Sequence, residues 1–150
     1  MLDEIDKNIL SRLQTDATLS VDDVSDAVGL SRNACWRRIK AMEAAGIITG
    51  RVALVDPARV GCGLSVMVMI RTNQHDAAWL GKFDRALGTM PEVVGAYRMT
   101  GDLDYVLRVR VADMKAYDEF YKRLTSRISV SDISASFVME EMKETTAVPL

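Results

Sequence analysis

The sequence predicts an α+β chain in two parts: an N-terminal winged helix-turn-helix and a C-terminal ferredoxin-like βαββαβ domain. Three observations predict it. Apolar residues recur at helical spacing up to about residue 45; a stretch rich in turn formers, "DPARVGCG", interrupts the chain at 56–63; and the remainder alternates strand, helix, strand, strand, helix, strand. The domains are therefore expected at 1–55 and 64–150, with 56–63 as a hinge.

Each element has a local reason. In "LDEIDKNILSRLQ", Ile5, Ile9, Leu10 and Leu13 form a stripe, and Asp3, Glu4 and Asp6 complement the helix dipole in the first turn, which predicts a helix over about 3–14. Ser20 offers an N-cap with Asp23 three residues on, and Val21, Val24 and Val28 make a short stripe that Gly29 ends. Ser31 caps a third helix running to about Ala45, where Gly46 supplies a left-handed C-terminal position. Helix, short helix, glycine turn and longer capped helix is the helix-turn-helix pattern. "IITGRVALVD" then reads as two short strands around Thr49 and Gly50, a wing, until Asp56-Pro57 breaks the pattern.

Beyond the hinge, residues 64–72 read as a strand and 76–90 as a helix with Leu80, Phe83 and Leu87 in its stripe. Strands at 93–99 and 104–111 flank the turn "TGDLD". A helix over 113–124 turns Met114, Tyr117, Phe120, Tyr121 and Leu124 inward, and 130–142 is a final strand. Helices cover one face of such a sheet, yet the first strand is apolar on both, with Met67 and Met69 opposite Val66, Val68 and Ile70. An uncovered apolar face indicates a partner surface, here a second sheet in a dimer.

Composition narrows the chemistry. No run of about 18 apolar residues occurs, and "MLDEIDKNIL" is acidic and amphipathic where a secretory leader is basic and then apolar, so a cytoplasmic protein without membrane partners is expected. The two cysteines, Cys35 and Cys62, show no metal-like spacing, His75 is the single histidine, and no GxSxG, Walker or GxGxxG string is present. Neither a metal, a cofactor nor an enzymatic activity is indicated. Net charge is −2, but residues 31–60 hold six basic and two acidic groups, residues 1–30 two and seven, and residues 61–150 eleven and twelve. Positive charge thus belongs to one local element, "SRNACWRRIK".

On that helix Arg32, Asn33, Trp36, Arg37 and Lys40 fall within an arc of about 140°, opposite Cys35, Ile39 and Met42. One face packs and the other is offered outward. Cationic groups there can neutralise phosphates, and Arg or Asn near the start of a recognition helix can pair with base edges in the major groove. The competing reading is a solvated charged face, with Trp36 packed beneath the wing. Arg38, off the centre of the arc, fits a phosphate or surface contact better than base reading. The expected DNA-binding set is Ser20, Ser31, Arg32, Asn33, Trp36, Arg37, Arg38 and Lys40.

Through "LDEIDKNILSRLQTDA", "VGLSRNACWRRIKAMEAAGIITG", "PEVVGAYRMTGDLDYVLRV" and "FVMEEMKETTAVPL" the chain resembles the Lrp/AsnC, or feast/famine, family of transcription regulators over nearly its whole length. "GDLDY", "VADMKAY" and "VMEEMK" make it most similar to the leucine-responsive type. The resemblance implies a winged helix-turn-helix joined to a ferredoxin-like effector domain, homodimers assembling to tetramers or octamers, double-stranded DNA as partner, and an amino acid effector, leucine or another apolar amino acid, bound between dimers. The pocket it implies comprises the turn Thr100, Gly101, Asp102 and Asp104, with Tyr97, Met114, Ser136, Phe137 and Val138. Arg51 departs from the family, where an aromatic residue commonly follows the glycine of "ITG".

Chemistry makes that pocket reasonable. A carboxylate such as Asp104 can hold an α-ammonium group, N–H groups of a glycine turn an α-carboxylate, and Met114 and Phe137 an apolar side chain. On the residues alone "TGDLD" also reads as an ordinary hairpin turn, Gly101 supplying positive φ and Asp102 and Asp104 local hydrogen bonds. Two other functions remain open: an enzyme like the haem-precursor (siroheme) decarboxylases, which share this two-domain resemblance, and a sensor that acts through protein contacts alone. The lone His75 speaks against the first and the basic segment against the second.

Overall fold

In the computed structural model, which describes residues 2–150, three helices come first: α1 (Glu4–Thr15), α2 (Val21–Val28) and α3 (Arg32–Ala44). Their starts are fixed by short polar side chains. Asp3 and Asp6 close a capping box on α1, Ser20 and Asp23 close another on α2, and Ser31 Oγ accepts from the Ala34 N–H on α3. Ile9, Leu10 and Leu13, Val24, and Cys35, Ile39 and Met42 are buried against one another as a single core. Each such aliphatic side chain contributes about 1.5–3 kcal/mol.

The tight turn between α2 and α3 rests on Gly29, whose φ of 69° lies in the left-handed region that a Cβ disfavours. α3 ends as its glycine predicts. The Gly46 N–H reaches Glu43 O at 3.0 Å and the Ile47 N–H reaches Met42 O at 2.9 Å, a pair of bonds that closes the helix C-terminus. Ile48 also donates to Met42 O.

These bonds explain one correction. The two strands expected around Thr49 and Gly50 are not formed: residues 49–55 lie in no strand and make no backbone–backbone hydrogen bond among the described residues. The N–H groups of Ile47 and Ile48, which a wing hairpin would need, are committed to capping α3. Val52, Leu54 and Val55 are left 79%, 77% and 62% exposed.

The second part comprises β1 (Leu64–Arg71), α4 (Ala77–Gly88), β2 (Val93–Arg98), β3 (Tyr105–Val111), α5 (Met114–Arg127) and β4 (Asp132–Phe137). The strands form one antiparallel sheet in the order β2-β3-β1-β4. Its helix-covered face supplies Val66, Val68, Ile70, Tyr105, Leu107 and Val109 to a core completed by Trp79, Phe83, Phe120 and Leu124. Register puts Met67 and Met69 on the other face, beside Arg108 and Val106 of β3 and Ser136 and Ser134 of β4.

Three sequence expectations change here. α4 buries Trp79, Phe83 and Ala86, leaving Leu80 and Leu87 half-buried, because the Trp79 indole N–H donates to Ser129 O at 2.7 Å and its ring stacks on Phe83. On α5 Phe120 and Leu124 are buried and Tyr117 and Tyr121 half-buried, whereas Met114 is 58% exposed. Six residues before Phe120, Met114 points about 120° away from it. β4 stops at Phe137 and not at 142, because its partner β1 runs out: Phe137 faces Val66, and a last bond joins Val138 N–H to Ser65 O.

Contacts gather the chain up to Leu54 with Met142–Leu150 into one compact unit and Val55–Glu141 into another. The segment expected as a hinge belongs to the second unit. The chain's last residues, placed with the second domain by sequence, join the first, where the Gln14 amide holds Val148: Nε2 donates to its carbonyl at 2.8 Å and Oε1 accepts its N–H at 3.0 Å. No helix among the described residues is long and apolar enough to cross a membrane.

Candidate nucleic-acid interface and effector site

α3 presents its polar face outward. With Cys35, Ile39 and Met42 buried, Arg32, Asn33, Trp36, Arg37 and Lys40 are exposed together. Burial pushes the Cys35 thiol above its usual range, so it is packing and not a reactive group. Trp36 is 51% exposed and therefore does not pack beneath a wing. Asn33, with Trp36 and Arg37 three and four residues after it, makes with them a trio that has no side-chain hydrogen bond or ion pair among the described residues. They are available to a partner.

The cations flanking this trio are engaged. Arg32 Nε lies 3.0 Å from Asp22 Oδ1 of α2, and Lys40 Nζ 2.7 Å from Glu43, which also takes Arg51 at 3.2 Å. The hydrogen bond from Lys40 holds the Glu43 carboxyl below its usual range. Arg51, where the family pattern has an aromatic residue, is thus tied back to α3. Ser20 and Ser31 serve as caps; the Ser20 hydroxyl donates to Asp23 at 2.6 Å, which is the largest cause of the lowered Asp23 pKa.

Arg38 differs from its neighbours in the expected set: its Nη1 donates to Asp3 Oδ2 and Asp6 Oδ1, both at 2.8 Å, which ties it to the start of α1. Asp3 and Asp6 belong to the α1 cap, a long-range pairing that helical periodicity does not reveal.

The residues expected to bind an effector fall into two groups. Around the turn after β2, Gly101 has the expected positive φ of 99°, and Asp104 is fixed: Oδ2 accepts the Thr72 N–H at 2.8 Å while Oδ1 lies 3.9 Å from His75 Nε2. Arg71 joins this end, donating through Nε to Asp102 O and through Nη1 to Asp132. Thr72, Arg71 and Asp132 carry no sequence signal for this site, because only strand register brings them to this turn, and His75 stands out in the sequence only as a lone histidine. Tyr97 sits nearby on β2, opposite Val106 on the helix-free face, its ring folded back over Gly95, where a Cβ would meet the Tyr97 hydroxyl at 2.7 Å.

Met114, Ser136, Phe137 and Val138 lie elsewhere. β1 pairs Ile70 with Tyr105 at one end and Leu64 with Val111 at the other, and Phe137 faces Val66. The length of β3, about 20 Å at strand rise, therefore separates Met114 from the turn. Phe137 packs edge-on against Tyr117 at 5.2 Å and Ser136 points to the opposite face. Within one chain the expected pocket is not assembled; its halves stand at opposite ends of the sheet.

Residues 2–49 match a family model for winged helix-turn-helix DNA binding, and residues 65–148 match the Lrp/AsnC ligand binding domain. The DNA-binding transcriptional activator DecR of Escherichia coli K12 is 48% identical over 100% of this chain and 99% of its own length. Two crystal structures superpose with a TM-score of 0.95, each covering 99% of this chain and 97% of theirs. One is an AsnC family transcriptional regulator from Agrobacterium tumefaciens at 49% identity, the other a Neisseria meningitidis transcriptional regulator in complex with L-Met at 34%.

Proposed function

The chain belongs to the Lrp/AsnC family and is a DNA-binding transcription regulator, and from that premise we propose that α3 is its base-reading helix and that a small amino acid controls its assembly or DNA affinity. The observation that carries the first half is the exposed, unpaired trio Asn33, Trp36 and Arg37 on the outer face of α3. A twofold pair of such helices reads half-sites about one helical turn apart, and the chain works in the cytoplasm where that DNA is. The helix-free sheet face, with Met67, Met69, Val106 and Tyr97, supports pairing of two protomers sheet to sheet; assembly of such dimers to tetramers or octamers is what the family resemblance implies.

The split effector residues support a site shared between protomers. The turn end of one chain supplies Asp104 for an ammonium group, and the Met114–Phe137 end of another supplies apolar contact; the L-Met complex of the Neisseria relative supports an amino acid as occupant. Such a ligand binds only the quaternary arrangement that joins the two ends, and this differential affinity is what shifts the regulator between states. The decarboxylase-like reading loses its ground, since the relatives at this identity are transcription regulators.

The test of the reading helix is Arg37→Ala in the full chain, assayed on a duplex selected by the parent protein from a random-sequence pool. Affinity is expected to fall about tenfold, with the slope of log affinity against log salt shallower by about 1. Unchanged affinity and slope would remove α3 from the interface.

A further inference from the structure

Arg32 opens α3, and its guanidinium is ion-paired to the preceding helix. Nε lies 3.0 Å from Asp22 Oδ1, on the second residue of α2, while the two side chains stay 68% and 64% exposed. The capping box of α2 is closed by Ser20 and Asp23, so the Asp22 carboxylate is not needed to start that helix. The helix dipole alone would favour an acidic residue in this turn, but it does not require the carboxylate to meet an arginine of the next helix.

The pairing has two physical consequences. A guanidinium carries five N–H donors in a planar fork. With Nε turned toward Asp22 in an ion pair, the side chain is biased toward one orientation and its two Nη groups remain as a forked edge, the geometry that pairs with O6 and N7 of guanine. Second, a carboxylate beside the guanidinium cancels its pull on phosphates, which act at longer range and without regard to sequence. A wrong sequence then gains little from Arg32, while a correctly placed guanine still accepts the fork.

We propose that Asp22 is a positioning residue for DNA reading: it orients Arg32 as a base reader and screens it from the phosphate backbone, so that the pair yields discrimination where Arg32 alone would yield generic affinity. This rests on the reading that α3 enters the major groove. It extends the interface to α2 and treats an acidic residue there as part of the recognition device.

The experiment compares the full chain with Asp22→Asn on two duplexes, one selected by the parent from a random-sequence pool and one of the same composition with shuffled sequence. Asp22→Asn is expected to bind the shuffled duplex more tightly and with a steeper salt dependence, and to lower the selected-to-shuffled affinity ratio about tenfold. Asp22→Glu, which keeps the carboxylate, restores part of the ratio. In an Arg32→Ala background, Asp22→Asn changes the ratio no further. An unchanged ratio in Asp22→Asn, or a parallel fall on both duplexes, overturns the proposal. Arg37→Ala separates the two readings: if it weakens the selected duplex while Asp22→Asn leaves the ratio alone, α3 still reads DNA and only the assignment to Asp22 fails; if Arg37→Ala changes nothing, the groove reading itself fails.

Discussion

Arg38 Nη1 lies 2.8 Å from Asp6 Oδ1, and the same nitrogen reaches Asp3 Oδ2, so a cation of α3 is bound to the start of α1. Its neighbour Arg37 has no such partner among the described residues. Adjacent arginines on one helix point about 100° apart, which is enough to give one a tethering role and the other a free face.

Arg38→Ala is therefore expected to lower the melting temperature while leaving the salt slope of DNA binding unchanged. Loss of a true phosphate contact would make that slope shallower by about 0.9. Melting curves and salt titrations on both arginine variants check this, and a shallower slope for Arg38→Ala would return that residue to the interface.

Acid is expected to loosen the three-helix unit first. Asp3 is held below its usual value of 3.8 by the Asp6 N–H and then Arg38, Asp16 by the Thr18 hydroxyl and N–H, and Asp23 by the Ser20 hydroxyl and N–H. A carboxyl with a depressed folded pKa contributes stability that is complete above its unfolded pKa and is lost as pH falls through that value and the folded one below it. The window thus opens near pH 4 and extends downward. Residue-resolved NMR between pH 6 and 2 should show α1 and α2 amides losing protection before those of β1 and β3; simultaneous loss would contradict it.

What could be read from sequence follows the range of each interaction. Ser20, Ser31, Gly29 and Gly46 act on residues within a turn or two, and their caps and stops are where the local pattern puts them. Arg38 and Asp6, or Gln14 and Val148, are joined across 32 and 134 positions, and no periodicity announces such pairs. The two wing strands are missing for a related reason: "ITG" is a fair turn, but the N–H groups before it already cap α3. The residues expected around an effector lie at a turn and at strand ends, and the strand between the two groups is not visible in local spacing.

The helix-free sheet face gives a prediction about assembly. Met67→Arg places a charge between Arg108 and Ser136, on a surface that only a partner would bury. If the sheets pair, burying that cation unpaired costs several kcal/mol, and sedimentation should show the dimer converted to monomer with the fold retained. A dimer undisturbed by Met67→Arg would move the interface elsewhere.

The separation of Asp104 from Met114 gives the sharpest test of the effector site. Both side chains leave the core, so Asp104→Asn and Met114→Glu need not disturb packing, though the first removes the carboxylate that takes the Thr72 N–H only in part, since an amide oxygen can accept it. Each variant alone should lose the rise in melting temperature that an amino acid effector gives the parent. The two variants refolded together should regain it in part, because a site drawing one end from each of two protomers is intact in about a quarter of random pairings at a heterologous interface. A site built within a single chain would be damaged in every protomer of the mixture, and no recovery would appear. Calorimetric titration of the mixed oligomer counts the restored sites directly, and recovery would tie the assembly of this regulator to the ligand that bridges its subunits.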